Sequence, residues 1–185
     1  MSVRREPAPA RARNRGAQEA RGAFLAFLDD DCVAEPSWLH LLEAALTASG
    51  AAAVAGAVVN REVDWVGRYI NREAVIAHVV SADGSVEGLI TGNCGIPAAL
   101  FRELGGFDET IRVAGGEDTE LGLRLRATGH RIAHALDARV HHESRVGLAS
   151  YLRMIFRHGR GRRRLGERFP DYRLSLPGLR LVWLA

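Results

Sequence analysis

The chain contains no lysine: all 25 of its basic side chains are arginine. Beside so much alanine, this reads as a biased base composition and carries no functional weight. Cysteine is almost absent too. Cys32 and Cys94 are far apart and form no C-x-x-C, which excludes a cysteine-built metal site and leaves two reduced, mostly buried thiols in a cytoplasmic protein. No apolar run reaches the roughly 18–20 residues of a membrane helix. The N-terminus has arginines but no apolar core, which excludes a secretory signal. No internal repeat is present. A formal charge of +3 does not make a generally basic molecule. What remains is ordinary globular composition, 47% apolar and 25% charged over 185 residues, enough for one domain with a sizeable core.

Residues 1–10, with two prolines and no periodicity, read as a disordered tail. A short helix is predicted over about Ala12–Ala20. Ala23–Leu28 is a continuous apolar run bounded by Gly22 and Asp29, the signature of a buried strand in a largely parallel sheet. Pro36 suits a first helical position. Trp38, Leu41, Leu42, Ala45 and Leu46 follow at helical spacing, and Gly50 suits the cap. Val54–Val59 reads as the next strand, completing a strand–helix–strand unit. Residues 60–88 are less patterned, with a helix near Tyr69–Val79 and a turn at Asp83-Gly84. Leu89–Gly95 reads as a strand, Pro97–Leu104 and Asp118–Thr128 as helices, and Arg131–Val140 as a strand. From Leu148 a helix carries Leu148, Tyr151, Leu152, Ile155 and Phe156 on one face and arginines elsewhere.

Three groups of residues bear chemistry. Asp29, Asp30 and Asp31 directly follow the first strand, and in α/β sheets ligands bind beyond the carboxyl ends of strands. If the backbone stays extended, Asp29 and Asp31 point to one side and could hold Mg²⁺ on a diphosphate. A solvated, helix-capping acidic turn is the plainer alternative. Glu117, Asp118 and Glu120 open a helix, where the dipole favours acids by about 0.3–1 kcal/mol. One of them could also serve as a general base on a hydroxyl. His141 and His142 end a strand and could ligate Mn²⁺ or simply be exposed.

Taken in order, Ala12-Arg13-Asn14-Arg15-Gly16, Phe27-Leu28-Asp29-Asp30-Asp31, Thr91-Gly92-Asn93, Gly105-Gly106-Phe107-Asp108-Glu109, Gly116-Glu117-Asp118-Thr119-Glu120-Leu121 and Val140-His141-His142 resemble the family 2 inverting glycosyltransferases over roughly residues 11–165. The resemblance implies a GT-A, Rossmann-related α/β fold with a mostly parallel sheet flanked by helices. It implies that Asp29 and Asp31 contact the ribose and a metal-bound diphosphate, that the metal is Mg²⁺ or Mn²⁺, and that His142 is a further ligand, with His141 as its rival. It makes Asp118 the base, with Glu117 helping to hold the acceptor. Arg13 and Asn14 would lie near the donor nucleotide, and Asn93, Gly105 and Gly106 would line the sugar pocket. The implied partners are a nucleotide-sugar donor and a hydroxyl-bearing acceptor (glycan, lipid-linked or peptide).

The family's opening nucleobase-binding strands have no counterpart here. The expectation is a GT-A domain truncated at its N-terminus, over residues 11–147, weakly active or inactive alone, its first strand left at an open sheet edge. Residues 148–185 would be a basic amphipathic helix and a truncated extension. Residues 148–165 also resemble the helix that follows the catalytic domain in members acting on membrane-bound acceptors. That places the protein in the cytoplasm, peripheral on the inner face of the membrane. Two other assignments compete: an inactive remnant or binding module of the same fold, and a GT-A-like nucleotidyltransferase, for which the N-terminus offers no Gly-rich, basic loop. The acidic clusters, and the lack of aromatics among Arg160–Arg164, speak against nucleic-acid binding.

Overall fold

The computed structural model describes residues 9–60, 65–72, 80–81, 83–111, 116–142 and 147–169. Residues 1–8 of the expected N-terminal tail, the second half of the helix expected near Tyr69–Val79, Gly115 and the last sixteen residues lie outside them; Pro9 and Ala10, expected in that tail, instead open the first helix, with Ala10 buried. The elements in chain order are α1 (Pro9–Glu19), β1 (Phe24–Leu28), β2 (Cys32–Ala34), α2 (Trp38–Ser49), β3 (Ala53–Asn60), α3 (Trp65–Arg72), β4 (Asn93–Pro97), α4 (Ala98–Glu103), α5 (Glu117–Ala127), β5 (Ile132–His142) and α6 (Leu148–Arg168).

One five-stranded sheet runs in the order β1-β4-β3-β5-β2. Only β3 and β5 are parallel; β1–β4, β4–β3 and β2–β5 are antiparallel. The sheet is thus mixed, which corrects the expectation of a mostly parallel one. The strand–helix–strand unit exists, and β1 and β3 do run the same way, but β4 is inserted between them. Among the described residues β1 stands at the sheet edge.

Side-chain alternation assigns the two faces. Ala53 and Ala55 of β3 enter a core cluster with Leu25, Ile96, Phe101 and Leu121, whereas Val54 packs with Leu42 of α2, Ala135 and Ala138. The sheet is therefore covered by α2 on one side and by α1, α4 and α5 on the other, a layered α/β domain. Trp38, Leu41, Ala45 and Leu46 of α2 pack as their spacing predicts, and Gly50 ends the helix at φ 59°. Pro36 sits in the turn before α2 rather than inside it: Trp38 N–H reaches back to the Glu35 carbonyl.

α1 has little apolar surface, yet Ala10, Arg13, Asn14 and Ala17 recur at i, i+3, i+4 and i+7 and are the less exposed residues between its ends. The two alanines enter the core. That close approach aims Arg13 and Asn14 into the domain.

The β3–β5 register jumps between Gly56, opposite Ala135, and Ala57, opposite Arg139. Asn93 closes the irregularity. Its amide donates to the Ala57 and Ala138 carbonyls at 2.8 and 2.7 Å, and its oxygen accepts from Trp38 Nε1–H at 2.7 Å. A Cβ on Gly56 would lie 2.3 Å from the Asn93 amide, so glycine at 56 leaves the room. Asn93→Ala strands three polar groups in or near the core, each costing about 1–3 kcal/mol. We expect denaturant unfolding to show a loss of about 2–4 kcal/mol. A loss below about 0.5 kcal/mol, ordinary for a surface position, would contradict this role.

Candidate active site

β1 delivers its carboxylates through a turn, not an extended segment. Cys32 N–H bonds the Asp29 carbonyl at 3.1 Å, and β2 then pairs with β5. Alternation therefore does not govern Asp29 and Asp31, and the expectation that it aims both to one side is corrected. Asp29 Oδ1 accepts from Arg13 at 2.6 Å, while Asp31 Oδ2 lies 3.1 Å from His142 Nε2. Asp30 is exposed.

Arg13 joins the two halves of the site. Its second guanidinium nitrogen donates to Glu117 Oε1, also at 2.6 Å. Glu117 is 3% exposed at the start of α5; it and Asp118 fill the first turn, where the dipole favours acids. Asp118 accepts from its neighbour's Thr119 N–H at 2.7 Å and, more loosely, from Thr91 N–H. The next residue, Gly92, faces Asp29: a Cβ there would meet Asp29 Oδ2 at 3.3 Å. Asp29 and Asp118 thus flank a single dipeptide, Thr91-Gly92.

Burial, and then the Glu117 carboxylate, push the Asp118 carboxyl up to about 6. The backbone N–H groups and Arg13 act in the opposite direction without cancelling the rise. Arg13 itself is held above its ordinary value; its burial works against this, but the bonds and charges of Asp29 and Glu117 prevail. Burial, with Asp31 and Asp29 nearby, pushes the Cys32 thiol up to about 12. Burial likewise raises Cys94. Both cysteines are free and buried, as their isolation in the sequence predicts.

The two histidines separate cleanly. His142 stands opposite Cys32 of β2 and Asn60 of β3, while His141 stands opposite Val33 and Val59. His141 is thereby sent to Glu35, 3.0 Å away, and His142 to Asp31. His142 Nδ1 lies 2.8 Å from Asn60 Oδ1. If Nδ1–H donates there, Nε2 presents a lone pair to the Asp31 carboxylate, and two acceptors at this distance call for a proton or a cation between them. Among the described residues no group of three or more His, Cys, Asp and Glu side chains is arranged to hold a metal ion.

Other expected residues act one layer away. Asn14 clamps the 105–109 loop, its oxygen accepting from Phe107 N–H and its amide donating to the Phe107 carbonyl and Glu109. Gly105 and Gly106 turn the chain at φ 79° and 72°. A Cβ on Gly106 would strike Asn14, whereas Gly105 has open space. Asn93 is 0% exposed and its amide is engaged on β3 and β5; it cannot line a sugar pocket, which corrects that assignment. Glu120, one of the three acids that could have served as a base, is instead paired with Arg124, a residue the sequence motifs do not single out. Glu120 is fully buried and bonded twice by Arg124 Nε at 2.8 and 2.9 Å. Arg124 in turn donates to the Leu104 and Gly106 carbonyls. Their i,i+4 spacing was the available signal.

A mixed sheet between helices, with a carboxylate cleft at one end and Arg13 across it, defines a GT-A-type glycosyltransferase domain. The chain belongs to glycosyl transferase family 2, whose family model matches residues 2–105; a second model, for the N-terminal domain of galactosyltransferase, matches residues 73–145. Similar curated proteins include the succinoglycan biosynthesis protein ExoM of Rhizobium meliloti, 34% identical over 83% of this chain and 52% of that protein. The pre-mycofactocin glycosyltransferase of Mycobacterium tuberculosis is 29% identical over 95% of this chain and 39% of that protein. The O-antigen biosynthesis protein RfbC of Myxococcus xanthus is 33% identical over 71% and 12%. The chain thus spans about half or less of these relatives. Among solved structures, the mannosyltransferase PcManGT of Pyrobaculum calidifontis, in complex with GDP-Man and Mn²⁺, superposes with TM-score 0.63 at 17% identity over 94% of this chain and 47% of its own. GalNAc-T7 with UDP, GalNAc and Mn²⁺ gives 0.56 at 20% identity over 84% and 36%. These two establish the fold.

The raised Asp118 carboxyl has a consequence for stability. It holds its proton more tightly in the folded chain than in the unfolded one, where the ordinary value is 3.8. Stability therefore falls as pH rises from about 3.8 to about 6 and stays lower above that window. Asp118→Asn remains neutral. It is expected to be more stable than the parent near pH ~8, by on the order of 1 kcal/mol, with little difference near pH ~4. Melting temperatures at both pH values test this; equal values near pH ~8 would contradict it.

Proposed function

We propose that this chain carries the catalytic centre of an enzyme that transfers a sugar from a nucleoside-diphosphate sugar to an acceptor hydroxyl, with inversion and with Asp118 as general base. The observation that carries this reading is the Arg13 bridge, which brings the aspartates after β1 and the first turn of α5 to one cleft. The acceptor oxygen attacks the anomeric carbon while its proton passes to an Asp118 oxygen. The bond from that carbon to the diphosphate oxygen breaks, and the nucleoside diphosphate leaves. One base without a separate nucleophile makes this a single displacement, hence inversion. A carboxyl poised at about 6 is unprotonated at neutral pH yet a stronger base than an ordinary aspartate. Glu117, fixed by Arg13, sustains that basicity through its own charge.

Asp29, Asp31 and His142 would hold a divalent cation, Mg²⁺ or Mn²⁺, whose charge offsets that of the departing diphosphate. Mn²⁺ accompanies UDP in one fold relative and GDP-Man in the other. The relatives named for succinoglycan and O-antigen biosynthesis support a cell-envelope polysaccharide or its lipid-linked precursor as acceptor.

A membrane-associated acceptor agrees with α6. No helix among the described residues is long and apolar enough to cross a membrane. However, Leu148, Leu152 and Phe156 form an exposed stripe at i, i+4 and i+8, Phe156 at 70% exposure, and the same helix is rich in arginine. That combination suits peripheral contact with anionic lipid on the inner membrane face.

Two measurements test these assignments. Asp118→Asn is expected to lower transfer by about 10²–10⁴-fold, with Mn²⁺-dependent nucleoside diphosphate binding by calorimetry retained. The parent's kcat/KM is expected to rise with pH through about 6 and then level off, because only the unprotonated carboxylate accepts a proton. Transfer undiminished in Asp118→Asn would remove it as the base. The double variant Leu152→Glu, Phe156→Glu is expected to lose co-sedimentation with phosphatidylglycerol vesicles, which the parent binds in preference to neutral ones. Equal sedimentation of variant and parent would rule out the α6 stripe as the contact.

A further inference from the structure

α6 is more than an appended helix. Its first turns touch α3, where Tyr151 stacks edge-on against Tyr69 at 6.0 Å. Its last turns are seated on the catalytic domain. Leu165 is buried there, and three residues later Arg168 reaches two carboxylates on two different elements. It donates to Asp108 Oδ2 at 2.6 Å and lies 3.2 Å from Glu120 Oε1. Asp108 belongs to the loop that Asn14 clamps from α1, and its other oxygen accepts from the Thr110 N–H and hydroxyl at 2.9 and 2.6 Å. Glu120 lies one helical turn beyond Glu117 on the same buried face of α5.

We propose that Arg168 is a positioning residue for the acceptor side of the site: by tying Asp108 of the 105–110 loop to Glu120 of α5, it makes the end of α6 a structural wall of the cleft. Glu120 is 0% exposed and is already held by Arg124. Losing Arg168 therefore leaves no unpaired buried charge, and the domain keeps its fold. What is lost is a contact that joins α6, the loop and α5 through one side chain. The loop's remaining ties run to α1 through Asn14 and to α5 through the Arg124–carbonyl bonds. They fix Phe107 and Gly106 but not Asp108. The inference builds on the glycosyltransferase reading only in calling this side the acceptor side; the tie itself does not depend on it.

The test compares the full chain with Arg168→Ala, Arg168→Lys and, as a control on the same helix, Arg153→Ala, whose hydrogen bond is local, to Ser150. In hydrogen exchange, amides of residues 104–111 and of the first turn of α5 are expected to exchange about tenfold faster in Arg168→Ala than in the parent. Arg168→Lys should recover part of the protection, and Arg153→Ala should match the parent. Asp108→Asn should speed exchange similarly, and adding it to Arg168→Ala should cause little further change, because one contact is lost twice. In transfer assays Arg168→Ala is expected to lower kcat, or raise the acceptor KM, by about tenfold while leaving the donor KM in place. Parent-like exchange of the loop and α5 in Arg168→Ala overturns the proposal, as does an effect equalled by Arg153→Ala. Absence of transfer in every chain, parent included, counts against the glycosyltransferase reading instead, and exchange then decides the role of Arg168.

Discussion

Everything at this site depends on one guanidinium. Asp29 and Glu117 are separated by most of the domain's sequence, and no strand pairing connects the turn after β1 to the start of α5. Arg13 holds both at 2.6 Å. Its partners differ in surroundings: Glu117 is sealed from water, whereas Asp29 is about one-third exposed. A buried carboxylate that loses its partner costs about 3–5 kcal/mol, far more than an exposed pair contributes. The tie is therefore lopsided: breaking it costs more at buried Glu117, which keeps other contacts such as that from the Gly116 N–H, than at Asp29. Evolutionary replacement of Arg13 would have to solve the Glu117 problem first, which ties the architecture of the cleft to the stability of the domain.

Around that tie the fold works by holding loops from several directions. Asn14, one residue after Arg13, grips the backbone of Phe107 on both its N–H and carbonyl. Arg124 grips the same loop from α5 by its carbonyls. The ring triad of Phe27, Phe101 and Phe107, with centroids 5.1–5.5 Å apart, seats the loop on the core. At the far side, Asn60 and His142 end two parallel neighbours, β3 and β5. Parallel strands bring their carboxyl ends to one rim, which is where such sheets bind ligands. Asn93 lies deeper and repairs the one place where that pair loses register. It thereby supports the rim without reaching it.

Most elements were legible in the sequence because their signals are local. The 3.6-residue spacing of Trp38–Leu46 and the bounded apolar run before Asp29 correspond to α2 and β1. Strand order was not legible. β4 enters between β1 and β3 and adds two antiparallel pairings, β2 adds a third against β5, and no short-range pattern encodes which distant strand will be a neighbour. The same limit explains the individual misjudgements. Alternation predicted where Asp29 and Asp31 point only for an extended chain, and the Asp29–Cys32 turn removed that premise. Which of His141 and His142 faces Asp31 was fixed by the β2–β5 register, a non-local quantity. Asn93 resembled a pocket residue by motif, but only the bulge at Gly56 reveals its use. Arg13 and Asn14, expected near a donor nucleotide, make their contacts with carboxylates and backbone.

The two carboxylate groups differ in wetness, and that difference separates their chemistry. Asp30 and Asp31 stand in an exposed turn, where water screens their mutual repulsion. Glu117 and Asp118 are drawn into the domain, where hydration is weak and a neighbouring charge counts for more. There Arg13 partly offsets the Glu117 charge, and the Asp118 carboxyl binds a proton more tightly than an ordinary aspartate. The same sequence chemistry, adjacent acids, thus meets two different surroundings, one wet and one dry, on either side of Thr91-Gly92.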